Sequence, residues 1–127
     1  MPTQQLAALP IFLCLAAFVA SCGGGGSLDD GQTPLRTEPQ IVTLQSPTVA
    51  CRPSDGVTVY IFGGVPPYSF RNTVPDAVSL STGSVGSAGE GVHIRFLGGC
   101  LTTVPLVVVD RSGATASVQL NYLPATN

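Results

Sequence analysis

The chain has 127 residues, enough for one domain, and a net charge of −2 from five Arg, no Lys and seven acidic residues. So small and mixed a charge excludes the basic patch that nucleic-acid binding calls for. Only 9% of residues are charged while 44% are hydrophobic, and 15 Gly and 11 Pro punctuate the sequence. That composition excludes a helical bundle and favours short strands joined by many turns.

At the N-terminus, Leu6 to Ala20 is an unbroken apolar run of fifteen residues with Pro10 inside it. A membrane-spanning helix needs about 20 residues, so the run fits the apolar core of a secretory signal peptide better. The next residues, "VASC" from Val19 to Cys22, resemble the lipobox of bacterial lipoproteins. The resemblance implies that residues 1–21 are a signal peptide and that Cys22 receives a diacylglycerol on its thiol. It also implies cleavage before Cys22 and acylation of the new amino group. Two or more acyl chains anchor a soluble domain firmly, where one does so only marginally. The other readings of the run are a plain cleaved signal and an uncleaved membrane anchor.

The same resemblance implies residence in the cell envelope, held to a membrane through the N-terminal lipid. Family sorting often keeps lipoproteins with aspartate after the cysteine in the inner membrane. Here Gly23 follows, so in a host with two membranes the outer one is expected.

Residues 22–40 read as the lipidated cysteine and a flexible linker. "GGGGSLDDGQTPLRTEPQ" has no apolar period and is dominated by Gly, Pro, Asp and Thr. Eighteen such residues have a root-mean-square span of roughly 25 Å. Asp29–Gly31 lacks the further oxygen ligands of a calcium loop and reads as spacer.

From Ile41 onward the pattern turns to strands. Ile41–Gln45, Tyr68–Asn72 and Val78–Ser81 are short candidates. Val92–Phe96 and Ser117–Leu123 alternate apolar and polar residues, the mark of half-buried strands. Val57–Phe62 and Pro105–Asp110 are apolar at nearly every position and read as central strands. Seven strands without a helical period predict an all-β, antiparallel sandwich over residues 41–127. A closed barrel of similar strand count is the alternative.

"GGVPPYSF", Gly63 to Phe70, resembles the GG-x-PPY signature of bacterial immunoglobulin-like domains. "VVVDRSGATASVQL", Val107 to Leu120, resembles their closing hairpin. The resemblance implies an immunoglobulin-like sandwich serving as a spacer, adhesive module or assembly part. There is no Trp, so the Trp-on-disulfide core of antibody domains is absent. Cys14 leaves with the signal and Cys22 takes the lipid, which leaves Cys51 and Cys100 to pair in an oxidising compartment. In immunoglobulin order both lie in turns at one pole. Two separate buried thiols are the alternative. At the opposite pole Gly63–Pro67, Ser84–Gly89 and Asp110–Gly113 converge. A partner is expected there, with Tyr68 and Arg111 as binding residues and the sheet edge as the rival surface.

Chemistry is sparse. His93, the single histidine, falls on an outer face by alternation and reads as a surface residue, not a triad member. Gly83–Gly91 lacks the Lys and helix of a phosphate loop and reads as a mobile loop. Asp110 reads as the cap of its own turn, not as a calcium ligand beside Asp55, Asp76 or Glu90. Tyr60, Phe62, Tyr68 and Phe70 read mainly as packing and secondarily as a sugar platform. No cofactor, metal or catalytic residue is predicted. The expected function is a non-catalytic structural or interaction module, meeting an envelope protein or glycan. A carbohydrate- or calcium-dependent adhesive domain is the second reading, and a small hydrolase a poorer third.

Overall fold

A computed structural model describes residues 33–126. Within them the chain forms nine strands: β1 (Arg36–Glu38), β2 (Ile41–Gln45), β3 (Ser54–Phe62), β4 (Tyr68–Asn72), β5 (Val78–Leu80), β6 (Ser84–Val85), β7 (Gly91–Phe96), β8 (Leu101–Val109) and β9 (Thr115–Leu123). They make two sheets, ordered β1-β3-β7-β5 and β2-β9-β8-β4-β6. The two sheets make a β-sandwich in which β1-β3-β7-β5 and β9-β8-β4 follow the two sheet orders of an immunoglobulin domain, while β6 pairs with β4 although it follows β5 in the chain. Pairings are antiparallel except β2 with β9, which run parallel, so the five-stranded sheet is mixed. The three-residue β1 crosses into β2 through a cis Glu38–Pro39 bond.

Alternation explains the core. Val59 and Ile61 of β3, Val92, Ile94 and Phe96 of β7, Leu106 and Val108 of β8, and Val118, Leu120 and Tyr122 of β9 all point inward and are buried. Successive strand residues face opposite sides, so one apolar residue in two suffices to fill the space between two sheets. β3 and β8 are both central, flanked by strands on each side. In place of a Trp, Phe96 and Tyr122 pack with ring centroids 5.0 Å apart. The Tyr122 hydroxyl is satisfied by donating to Arg52 O at 2.7 Å.

Two expectations need correction. The sheet begins inside the stretch read as linker: Arg36–Glu38 pair with Phe62–Tyr60, and the Thr37 side of β1 is buried. Three residues bracketed by prolines are too few to carry a period. Likewise Gly83–Gly91 is not merely a loop. Ser84 and Val85 pair with Ser69 and Tyr68, and Val85 is buried. The lipobox, Cys22 and residues 23–32 lie outside the described residues.

Cys51, between β2 and β3, is disulfide-bonded to Cys100, between β7 and β8, with Cα atoms 5.1 Å apart. The bridge closes one pole, and Gly99 N–H donates to Cys51 O at 2.7 Å beside it. The chain enters at the other pole. There Gly64 N–H donates to Thr33 O at 2.8 Å, and a Cβ on Gly63 would lie 2.1 Å from Pro34 O. The C-terminal residues leave at the disulfide pole, where Ala125 N–H donates to Thr48 O at 3.0 Å.

The bridged cysteines are 49 residues apart. Closing a loop of that length stabilises a fold by about 4 kcal/mol in the chain-entropy model. Replacing Cys51 and Cys100 together by Ala is therefore expected to lower stability by about that amount. Denaturant unfolding of both proteins, oxidised, measures it, and an unchanged midpoint would show that the core alone sets the stability.

Candidate functional site

At the entry pole the expected loops do converge. Asp110 directly follows β8, and its carboxylate accepts from Ser112 N, Ser112 Oγ and Ala114 N at 2.9, 2.6 and 2.9 Å within its own turn. A fourth donor is Val65 N at 2.8 Å from the other loop, while Arg111 N–H donates to Val65 O at 2.8 Å. Asp110 is thus the turn cap, and more: it joins two loops. Burial alone would raise its carboxyl, but the Ser112 hydroxyl and the Val65, Ala114 and Ser112 amides outweigh that and hold it below the ordinary value.

Of the two binding residues expected here, only Arg111 is exposed. Tyr68 is buried, and its hydroxyl donates to Gly63 O at 2.5 Å, so its ring is core packing and cannot meet a partner. The loop carbonyl gives its polar tip a place inside. Phe70 packs against the core as well.

The polar and aromatic side chains that are available gather elsewhere, on the outer face of the four-stranded sheet. β3 turns Thr58, Tyr60 and Phe62 outward; β7 turns Gly91, His93 and Arg95 outward beside them, paired Thr58 with His93 and Tyr60 with Gly91. Gly91 is required there. A Cβ would fall 2.6 Å from Thr58 Cγ2 and 3.0 Å from the Tyr60 ring, so the glycine makes room for the ring to lie across the strand. Tyr60 stays 45% exposed. Next to it the Arg36 guanidinium sits over the Phe62 ring, 4.9 Å from its centroid, and pairs with Glu38 at 3.6 Å.

A bulge between Asp55 and Val57 brings Asp55 into this face. Gly56 makes the bulge possible, because a Cβ would lie 2.0 Å from Ile94 O. His93 Nε2 lies 2.6 Å from Asp55 Oδ1, and His93 Nδ1 lies 3.1 Å from Thr58 Oγ1. A carboxylate only accepts, so Nε2 donates to Asp55, while Nδ1 accepts from Thr58 in a neutral ring and donates to it in a protonated one. Arg95 Nε is 3.8 Å from the same Asp55 oxygen. The His93 hydrogen bond, aided by the charges of His93 and Arg95 and by the Gly56 amide, holds the Asp55 carboxyl below its ordinary value against the desolvation that opposes it.

The order hydroxyl–imidazole–carboxylate is that of a proton relay, but it stands in the open. The Asp55 and His93 side chains are 69% and 38% exposed, so water competes for every partner and the pair adds little to stability. Two shallow hollows flank it. One, of about 360 Å³, lies among Pro53, Ser54, Asp55, Arg95 and Leu97. The other, of about 230 Å³, lies among Ser79, Leu80, Ser81, His93 and Arg95. Arg95 borders both.

The carboxylates weighed together for calcium are not brought together. Asp110 is filled by its four donors, Asp55 faces His93, and Glu90 accepts from Gly86 N at 3.4 Å. Among the described residues no three of His, Cys, Asp and Glu group as a metal would need. The chain matches no protein-family model, no curated protein and no solved structure.

Two titrations test this electrostatic description. A group whose folded pKa lies below its unfolded one stabilises above the unfolded value and loses that contribution as pH falls through the folded value. For Asp110 the loss therefore sets in below the ordinary 3.8. Asp110→Asn, which replaces one acceptor oxygen by an NH2 donor facing these N–H and O–H donors, is expected to cost about 2–3 kcal/mol at neutral pH. It should also flatten the acid slope of the unfolding midpoint; a slope like that of the wild type would remove Asp110 from this role. For Asp55, carboxyl NMR should show titration below 3.8, moving up toward that value in His93→Ala. No movement would mean that His93 is not the cause.

Proposed function

We propose that this chain is a lipid-anchored cell-envelope protein whose immunoglobulin-like domain is a non-catalytic interaction module. The observation that carries the reading is the Cys51–Cys100 bridge. Structural disulfides persist in oxidising compartments, which supports export, and pairing these two leaves Cys22 as the cysteine after the signal. The lipobox "VASC" then supports lipidation there. In a host with two membranes, Gly23 favours the outer one. The interaction surface is the outer face of the four-stranded sheet. Charged and aromatic residues concentrate there, with Arg36, Glu38, Asp55, Tyr60, His93 and Arg95 all on one side. A rigid sheet fixes their spacing and so gives recognition without closure.

Glycan binding is the second reading, and Tyr60 favours it. An exposed ring packed beside Gly91, on the same sheet face as Arg36 and the Asp55–His93 pair, offers a sugar an apolar surface and hydrogen-bonding neighbours. With Asp110 filled, this reading needs no calcium.

Metabolic labelling with a clickable fatty acid should mark the wild type and not Cys22→Ser; label retained by the variant would sink the anchor. For the interaction, a photo-crosslinking amino acid at Tyr60 should capture a protein or glycan adduct in intact cells. The same group at Gln119, on the other sheet, should not. Capture from Gln119 alone would move the surface to the five-stranded sheet. Tyr60→Ala on a glycan array separates the two readings: loss of binding supports the glycan, and absence of binding by the wild type favours a protein partner.

A further inference from the structure

The chain's entry point fixes which way the domain faces. We infer that the entry pole, built by Gly63–Pro67, Ser84–Gly89 and Asp110–Gly113, is a membrane-apposed surface whose partner is the lipid headgroup layer, and that the disulfide pole points away. This rests on lipidation at Cys22.

At the entry pole Thr33 O accepts from Gly64 N, and Pro34 O occupies the space that a Cβ on Gly63 would need. Leu35 packs on the core, and Arg36–Glu38 are zipped to Phe62–Tyr60. The ordered chain therefore cannot peel back to leave from elsewhere. From Cys22 to Thr33 there are eleven residue steps, which reach at most about 40 Å even when fully extended. The sandwich itself is about 30 Å from pole to pole, since β8 and β9 each run nine residues along it. An inverted domain would need those steps drawn out along its whole length, close to their limit. An upright one needs almost none of that reach.

The side chains agree with this assignment. At the tip of the entry pole stands Arg111, exposed and without a salt bridge among the described residues; a cation there faces headgroup phosphates favourably. Of the four large exposed apolar residues, Val49 and Leu97, 63% and 41% exposed, stand at the disulfide pole, and Ile41 and Tyr60 lie on the strands, so none is at the tip of the entry pole. Thus the surface first expected to meet an envelope protein or glycan is the one turned to the bilayer, and the outer sheet face stands sideways to it, open along its length.

The test uses the full lipidated protein, reconstituted in phosphatidylcholine vesicles that contain a nitroxide-headgroup lipid. One fluorophore is attached at Arg111→Cys or at Val49→Cys. Ser87→Cys and Leu97→Cys repeat the comparison should either first variant misfold. Quenching is expected to be several-fold stronger at the Arg111 and Ser87 positions than at Val49 and Leu97. Equal quenching, or stronger quenching at the disulfide pole, overturns the assignment. A Gly/Ser insert doubling the segment between Cys22 and Thr33 should erase the difference; a difference that survives would show that something other than chain reach orients the domain. Flotation separates this from the anchor itself. Protein that fails to float with vesicles refutes lipidation and the inference with it, whereas floating protein with reversed quenching keeps the lipid and refutes only the orientation.

Discussion

The carboxylate of Asp110 accepts from four donors on two loops, and the architecture of the entry pole follows from where that charge must sit. A buried carboxylate is costly unless its lone pairs are met. Its own turn supplies three donors, and the fourth comes from Val65, forty-five positions earlier. To deliver that amide, the β3–β4 link must pass so close that a Cβ on Gly64 would lie 2.6 Å from Asp110 Oδ2. With Gly64 in place, its own N–H is aimed at Thr33 O. So one charge joins the closing hairpin, the crossover between sheets and the incoming chain. The Gly-Gly and Asp-x-x-Gly stretches, distant in sequence, are halves of a single lock.

Much of the fold was legible because a period of two survives in the sequence. Val92–Phe96 and Ser117–Leu123 lie in strands where alternation puts them, and the short candidates Ile41–Gln45 and Tyr68–Asn72 are strands too. The disulfide was legible from counting, because the lipobox resemblance set Cys14 and Cys22 aside and left Cys51 and Cys100 to pair. What lay hidden was short or long-range. β1 and β6 have three and two residues, too few to show any alternation. The pairing of His93 with Asp55, thirty-eight residues apart, depends on the register between β3 and β7 and on a bulge at Gly56 that shifts it. Alternation alone gives His93 a direction and no neighbour. Tyr68 misled for a different reason: hydrophobic spacing is silent on whether a loop carbonyl such as Gly63 O waits to receive a hydroxyl.

The two outer faces differ in kind. On the five-stranded sheet, Asn121 Oδ1 accepts from Thr103 N at 2.8 Å while Gln119 Nε2 donates to Thr103 Oγ1 at 3.3 Å. These neutral amides and hydroxyls spend much of their capacity on one another, and they hold Thr103, with φ of 54°, at a second bulge. On the four-stranded sheet ions and rings stand outward beside Thr58 and Gly91. Among them Arg95 touches Asp55 through Nε and borders two hollows.

The parallel pairing of β2 with β9 carries a mechanical consequence. The described chain enters at one pole and leaves at the other, so tension along it pulls β2 by its first residue and β9 by its last. Two parallel neighbours loaded from opposite ends slide lengthwise, and the bonds from Gln119 N to Gln40 O through Ser46 N to Leu123 O share the load together. A hairpin pulled from its two free ends would open one bond at a time. Against stretching, once β1 has parted from β3, the load falls on five residues at the edge of the larger sheet.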